Sequence, residues 1–96
     1  MKVEYSKRAV SDLRRIADYH TGLDDPRVGE RIAAGIREVV AGLERLPERG
    51  RPIAQRPGVR VALLVQYRYK IFYRVAGETV RIVHVRHTSR QQWPSD

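Results

Sequence analysis

Cysteine is absent from this 96-residue chain. A disulfide framework, a thiolate nucleophile and a thiolate-ligated zinc site are therefore excluded. Histidine is sparse. A three-histidine metal site would need His20 carried across to His84 and His87, so neither a metal nor another cofactor is expected. Long apolar runs are missing too. The longest, Val61 to Val65, has five residues, far short of the roughly 20 that span a bilayer. Met1 to Tyr5 leads straight into charged sequence, unlike a secretory signal. No membrane association is expected, and the unstapled, leaderless pattern points to the cytoplasm. Disorder is excluded by composition: 42% of residues are hydrophobic, too many for a chain that cannot bury a core. The length suits one small domain, residues 1–96, with 86–96 as a C-terminal tail.

Acidic residues are scarce in one half only. Residues 1–46 carry nine Lys/Arg against eight Asp/Glu, net +1, whereas residues 47–96 carry ten against three, net +7. The second half is expected to face an acidic partner: nucleic acid, an acidic protein or an anionic surface. Sixteen of the 19 basic residues are Arg, whose planar fork suits phosphate and carboxylate.

The pattern reads β-α-α-β-β-β, with no internal repeat or low-complexity tract. Lys2 to Tyr5 alternates as a short strand, with Val3 and Tyr5 on one face. Ser6 stands where a helix N-cap belongs. Ala9, Leu13, Ile16, Ala17 and His20 then recur at helical spacing, predicting a helix over Lys7–His20. Asp25-Pro26 opens a second helix as cap and first helical residue. Val28, Ile32, Ile36, Val39, Leu43 and Leu46 form its stripe, and Pro47 ends it. Small residues in that helix, Gly29 and Gly35 among them, predict close packing against the first helix or another chain. Pro47 to Gly58 reads as a loop that carries Arg49, Arg51 and Arg56 as a solvated connector or as a basic rim. Three strands follow in an antiparallel meander: Val59–Val65, Lys70–Val75 and Thr79–Val85. Ala76-Gly77-Glu78 supplies the last turn. The alternation puts Ile71, Tyr73 and Val75 opposite Lys70, Phe72 and Arg74. It also puts Val80, Ile82 and His84 opposite Arg81, Val83 and Val85. His84 is thus expected half-buried, and His87 beyond the last strand. Tyr67, Tyr69 and Tyr73 suit strands, and tyrosines can also stack bases.

Several stretches together resemble the RelE/ParE toxin superfamily. They are Ala9-Val10-Ser11-Asp12-Leu13, Leu46-Pro47-Glu48-Arg49-Gly50-Arg51-Pro52, Gly58-Val59-Arg60, Tyr69 to Val75, and Ile82 to His87 followed by Arg90 and Trp93. They span nearly the whole chain in the family's order. The resemblance implies an α+β fold, an antiparallel sheet with an N-terminal helical hairpin on one face. It implies the toxin of a type II toxin–antitoxin pair, with a cognate antitoxin in a hetero-oligomer. It implies a role in plasmid stabilisation and growth arrest. Two activities are known in the superfamily. ParE-like members inhibit DNA gyrase by binding, and RelE-like members bind the ribosome and cleave mRNA without a metal.

The ParE-like reading is favoured, with no catalytic residues. The basic pair that a ribonuclease would want on the strand from Val59 is replaced by the apolar run Val61 to Val65. Were the chain a ribonuclease, Arg60, Lys70, Arg86 and His87 would carry the chemistry. A basic interaction domain without toxicity is the remaining alternative, although the mixed charges of the second helix lack a recognition-helix pattern. Target binding is expected from Arg86, His87, Arg90 and Trp93, because the strand alternation needs none of them. Antitoxin binding is expected from Ile32, Ile36, Val39, Leu43, Arg60 and Arg74.

Overall fold

The computed structural model describes residues 1–21 and 26–88. Strand β1 (Lys2–Tyr5) leads into helices α1 (Lys7–Thr21) and α2 (Pro26–Arg45), followed by β2 (Arg51–Pro52), β3 (Val59–Leu64), β4 (Tyr69–Ala76) and β5 (Thr79–His87). The five strands form one sheet in the order β1-β5-β4-β3-β2. The α+β fold and helical hairpin are as expected, with three differences. The sheet is mixed, because β1 pairs with β5 in parallel. The loop after α2 contains the two-residue strand β2, antiparallel to β3. Finally, β3 stops at Leu64, where Val65–Tyr67 turns as a 3₁₀ helix and Arg68 follows at φ 62.

Local chemistry explains the boundaries. The Ser6 hydroxyl accepts the Ala9 N–H at 3.0 Å and donates to the Val83 carbonyl at 3.2 Å. It therefore caps α1 and ties it to β5. The proposed cap Asp25 lies outside the described residues. Between β4 and β5, Gly77 adopts φ +60 as the first of two loop residues. A type II′ hairpin turn needs glycine at that position. Leu46 falls just past α2 and is 62% exposed, so the apolar stripe ends at Leu43.

The core lies between the hairpin and one face of the sheet. Ala9, Ile32, Ile36, Val40 and Leu43 meet Ala62, Ile71, Tyr73, Val80, Ile82 and Val85. Burying an Ile or Leu side chain of this kind contributes about 1.5–3 kcal/mol. Gly29 allows the expected close approach to α1, since a Cβ there would lie 3.1 Å from His20 Cβ, whereas Gly35 lets α2 approach the sheet instead, with a Cβ 2.9 Å from Leu64 Cδ1. A smaller cluster of Val59, Val61 and Phe72, flanked by Ile53 and Val83, occupies the opposite face.

The alternation in β5 is broken by a bulge. Phe72 pairs with His84 and Tyr73 with Ile82, so Val83 is the extra residue. The bulge moves Val85 onto the helix-covered face with Val80 and Ile82, and sets His84 beside Phe72. The expected shared face of Val80, Ile82 and His84 is corrected accordingly. His87 is likewise the last residue of β5, opposite Tyr69, and not a residue beyond the strand.

Candidate functional site: the open face of the sheet

Cross-strand register defines a face that, among the described residues, no helix covers. Arg51 lies beside Val61, Val61 beside Phe72, and Phe72 beside His84. One row along, Leu63 neighbours Lys70 and Lys70 neighbours Arg86. In the other direction Val59 neighbours Arg74, and Arg74 neighbours Arg81. Beyond Arg81, on β1, lies Glu4, whose carboxylate meets the Arg81 guanidinium at 3.2 Å. Among the described residues, the face thus carries five cations from β2 to β5 and one carboxylate from β1. A depression of about 460 Å³ opens on it, lined by Arg51, Ile53, Val61, Leu63, Lys70 and Arg86 among others.

Two cation pairs stand directly opposite each other, Lys70 with Arg86 and Arg74 with Arg81. Such pairing destabilises a sheet. Arg86 is half-buried, with Cζ 5.5 Å from the Phe72 ring centroid. Burial pulls its pKa below the ordinary arginine value, yet a guanidinium stays charged at neutral pH.

Beneath this face lies a buried acid that the spacing alone did not single out. Asp12 sits on the buried side of α1 and is 3% exposed. Its Oδ2 accepts His84 Nδ1–H at 2.7 Å and the Val85 N–H at 3.0 Å, and its Oδ1 accepts from Arg15 at 2.6 Å. Strand β1 pairs β5 only as far as Ile82, and Asp12 satisfies part of the edge that β1 leaves. Burial alone would raise the Asp12 pKa, but the hydrogen bonds from His84, Val85 and Arg15 outweigh it and hold the carboxyl below its ordinary value. The available signal was an acid within the Ala9, Leu13, Ile16 stripe, since a carboxylate on an apolar face needs partners.

The ribonuclease candidates are split. Lys70 and Arg86 share the open face, whereas Arg60 is opposite Tyr73 and His87 opposite Tyr69 on the helix-covered face. The Arg60 guanidinium donates to the carbonyls of Gly50 at 2.7 Å and Glu48 at 3.2 Å. Tyr73 joins the same latch: its hydroxyl donates to the Pro47 carbonyl at 2.7 Å and accepts the Gly50 N–H at 2.8 Å. Burial raises the Tyr73 pKa, consistent with a hydroxyl that keeps its proton. His87 meets the Tyr69 ring edge-on at 5.3 Å.

The target-binding and antitoxin-binding sets are also divided. Arg86 and His87 face opposite ways, and Arg90 and Trp93 lie outside the described residues. Ile32, Ile36 and Leu43 are 2%, 2% and 1% exposed. Ile32 and Ile36 are core side chains, because the helical stripe that suggested them packs on the chain's own sheet, whereas Leu43, in the same core, also lines a depression beside α2. Val39 is half-buried, while Arg60 and Arg74 lie on opposite faces. A second depression, of about 450 Å³, opens between α2 and β3, lined by Val39, Arg49, Arg51, Val61, Ala62 and Leu63 among others.

The sequence profile of the ParE toxin of the type II toxin–antitoxin system parDE matches residues 3–92. This chain belongs to the ParE toxin family. It is 35% identical over 89 residues to Toxin RelE2 of Caulobacter vibrioides, covering 93% of this chain and 97% of that protein. Its fold resembles the chromosomal ParDE toxin–antitoxin system from P. aeruginosa, with TM-score 0.81 and 26% identity over 93% of this chain and 97% of that one. The isolated E. coli RelE toxin shares the fold at TM-score 0.62 and 17% identity, covering 95% of this chain and 87% of that one. Family membership makes the chain a type II toxin of the ParE/RelE group. Among its described residues, no helix is long and apolar enough to cross a membrane.

Proposed function

We propose that this toxin arrests growth by binding DNA gyrase rather than by cutting RNA, and that a cognate antitoxin neutralises it in a hetero-oligomer. The division of Arg60, Lys70, Arg86 and His87 between two faces carries this reading. Metal-free phosphodiester cleavage needs a base, a charge stabiliser and an acid around one phosphate. Here Arg60 is committed to the Gly50 and Glu48 carbonyls on the wrong side of the sheet. On the open face Val61 and Leu63 offer no cation beside Lys70 and Arg86.

The antitoxin is assigned to the depression between α2 and β3, where Val39 and Leu63 supply apolar contact and Arg49 and Arg51 supply charge. That depression shares Arg51, Val61 and Leu63 with the one on the open face. An occupant of one therefore crowds the other. Long-range charge steers encounter more than it holds a complex together, so raising the salt should slow antitoxin association more than it speeds dissociation.

The deciding experiment adds purified toxin to a gyrase supercoiling assay and to a translating extract. Supercoiling should be inhibited and mRNA left whole. Codon-position-specific mRNA cuts, lost in Lys70→Ala or His87→Ala, would replace this reading with ribosome-dependent cleavage.

A further inference from the structure

The open face pairs like charges around an apolar floor, and a fold alone has no use for that arrangement. Lys70 and Arg86 occupy directly opposed positions next to Leu63, and Arg51 borders the same depression across Val61. Among the described residues, no carboxylate pairs with Lys70. Among those residues, the carboxylate on this face is Glu4, which is engaged with Arg81 at the far end. Neighbouring rows on one face are about 6–7 Å apart along a strand. An incoming chain can thus place an anion between Lys70 and Arg86, and another near Arg51, while covering Val61 and Leu63.

The kind of anion follows from the aromatic residues. Single-stranded nucleic acid is held by exposed rings on which bases stack. Among the described residues, the aromatic side chain on this face is Phe72, which is 3% exposed. The His84 ring lies against it at 5.5 Å with a 19° interplanar angle, and Arg86 Cζ is also 5.5 Å from its centroid. Tyr69 and Tyr73 pack into the core on the other side of the sheet. What remains accessible is aliphatic: Leu63 is 46% exposed, and Ile53 borders the depression. Carboxylates with aliphatic neighbours complement that surface, and stacked bases do not.

We propose that the open face is the toxin's target-recognition surface and that its ligand is an extended, carboxylate-rich protein segment with aliphatic side chains. The segment lies across Leu63 and Val61 with acidic groups on Lys70, Arg86 and Arg51. This assignment rests on the reading that the toxin acts by binding a protein target.

The variant that tests it is Lys70→Glu. Placed opposite Arg86, a glutamate turns a repulsive cross-strand pair into an attractive one. The melting temperature should hold or rise while recognition falls, a combination that a merely structural lysine would not produce. The probes are a ten-residue peptide alternating Glu and Leu and a single-stranded 12-nucleotide RNA of mixed sequence. Wild-type toxin should bind the peptide more tightly than the RNA at the same ionic strength, and Lys70→Glu should weaken the peptide at least tenfold. Gyrase inhibition should fall in parallel. RNA bound more tightly than peptide, with the same sensitivity to Lys70→Glu, would overturn the assignment in favour of a nucleic-acid surface. Full gyrase inhibition by folded Lys70→Glu would overturn its role in target recognition and leave the gyrase reading standing. If wild-type toxin leaves gyrase untouched but binds the peptide through Lys70, the acidic-segment site stands and the gyrase target falls. A variant that unfolds is replaced by Lys70→Gln with the same readouts.

Discussion

On the helix-covered face of the sheet, buried polar groups are matched to partners. On the open face, cations are set against cations. Tyr73, Arg60 and the Pro47–Gly50 backbone form a closed set of hydrogen bonds beside the core. Asp12, on α1, likewise gathers Arg15, the Val85 N–H and, from the other side of the bulge, His84. Across the thickness of one sheet, Lys70 faces Arg86 and Arg74 faces Arg81. The first arrangement is what stability selects. The second costs stability, which is the ground for proposing that this face serves a ligand.

The sharpest way to break this contrast is to open the matched side. Asp12→Ala strands two buried donors, His84 Nδ1–H and the Val85 N–H, and each such loss costs about 1–3 kcal/mol. Urea unfolding at pH 7 should show the loss. The same residue gives an acid signature. Its folded pKa lies below its unfolded one, so its contribution is complete above about pH 4, the unfolded carboxylate range. It is lost as pH falls through the lower, folded value. Asp12→Asn should flatten that acid limb. An unchanged limb would mean that Asp12 does not fasten α1 to β5.

A smaller effect is expected at the latch. A Cβ on Gly50 would sit 2.6 Å from Tyr73 Oη and 2.8 Å from the Val61 carbonyl oxygen. Gly50→Ala should therefore cost about 1–3 kcal/mol through forced displacement. Tyr73→Phe strands the buried Gly50 N–H and should cost a similar amount, about 1–3 kcal/mol. The double variant should cost less than the sum, because both act on one set of bonds. Full additivity in thermal or urea unfolding would show that the latch is not a unit.

Much of this contrast could be read from the residues. The stripes of α1 and α2, the Ser6 cap, the opposition of Lys70, Phe72 and Arg74 to Ile71, Tyr73 and Val75, and the Gly77 turn all follow from local periodicity and turn chemistry. Parallel pairing of β1 was illegible, because nothing in Lys2 to Tyr5 names its neighbour. The bulge at Val83 was illegible for a related reason. Strict alternation is the default, and the donors that Asp12 gathers beside the bulge come together only in the fold. That one extra residue moved His84 off the face assigned to it. The stripe of α2 is apolar as its spacing implies, but Ile32 and Ile36 pack on the chain's own sheet and not on a partner. Periodicity reports that a face is buried without saying against what. For the functional site, residue type and strand position alone point to Lys70 and Arg86. Their convergence with Arg51, and the exile of Arg60 and His87 to the other face, required the register.

The smallest effect tests whether charges on the open face sense one another. Glu4 and Arg81 are roughly half exposed, at 43% and 48%, and lie 3.2 Å apart. An exposed pair of this kind is worth about 0.2–1 kcal/mol, so Glu4→Gln should cost no more than that. Here, however, the carboxylate also screens Arg81 from Arg74 opposite. Removing it should make the Arg74–Arg81 repulsion larger, and Arg74→Gln should then recover part of the loss. The expected signature is a coupling between positions 4 and 74 in a double-mutant cycle. Arg74→Gln should be more favourable in the Glu4→Gln background than in the wild type, and the difference should shrink at high salt as screening takes over. Strict additivity at low salt would show that the opposed guanidiniums splay into water without interacting. The like-charge pairing would then carry no cost, and the contrast between the two faces would reduce to burial alone.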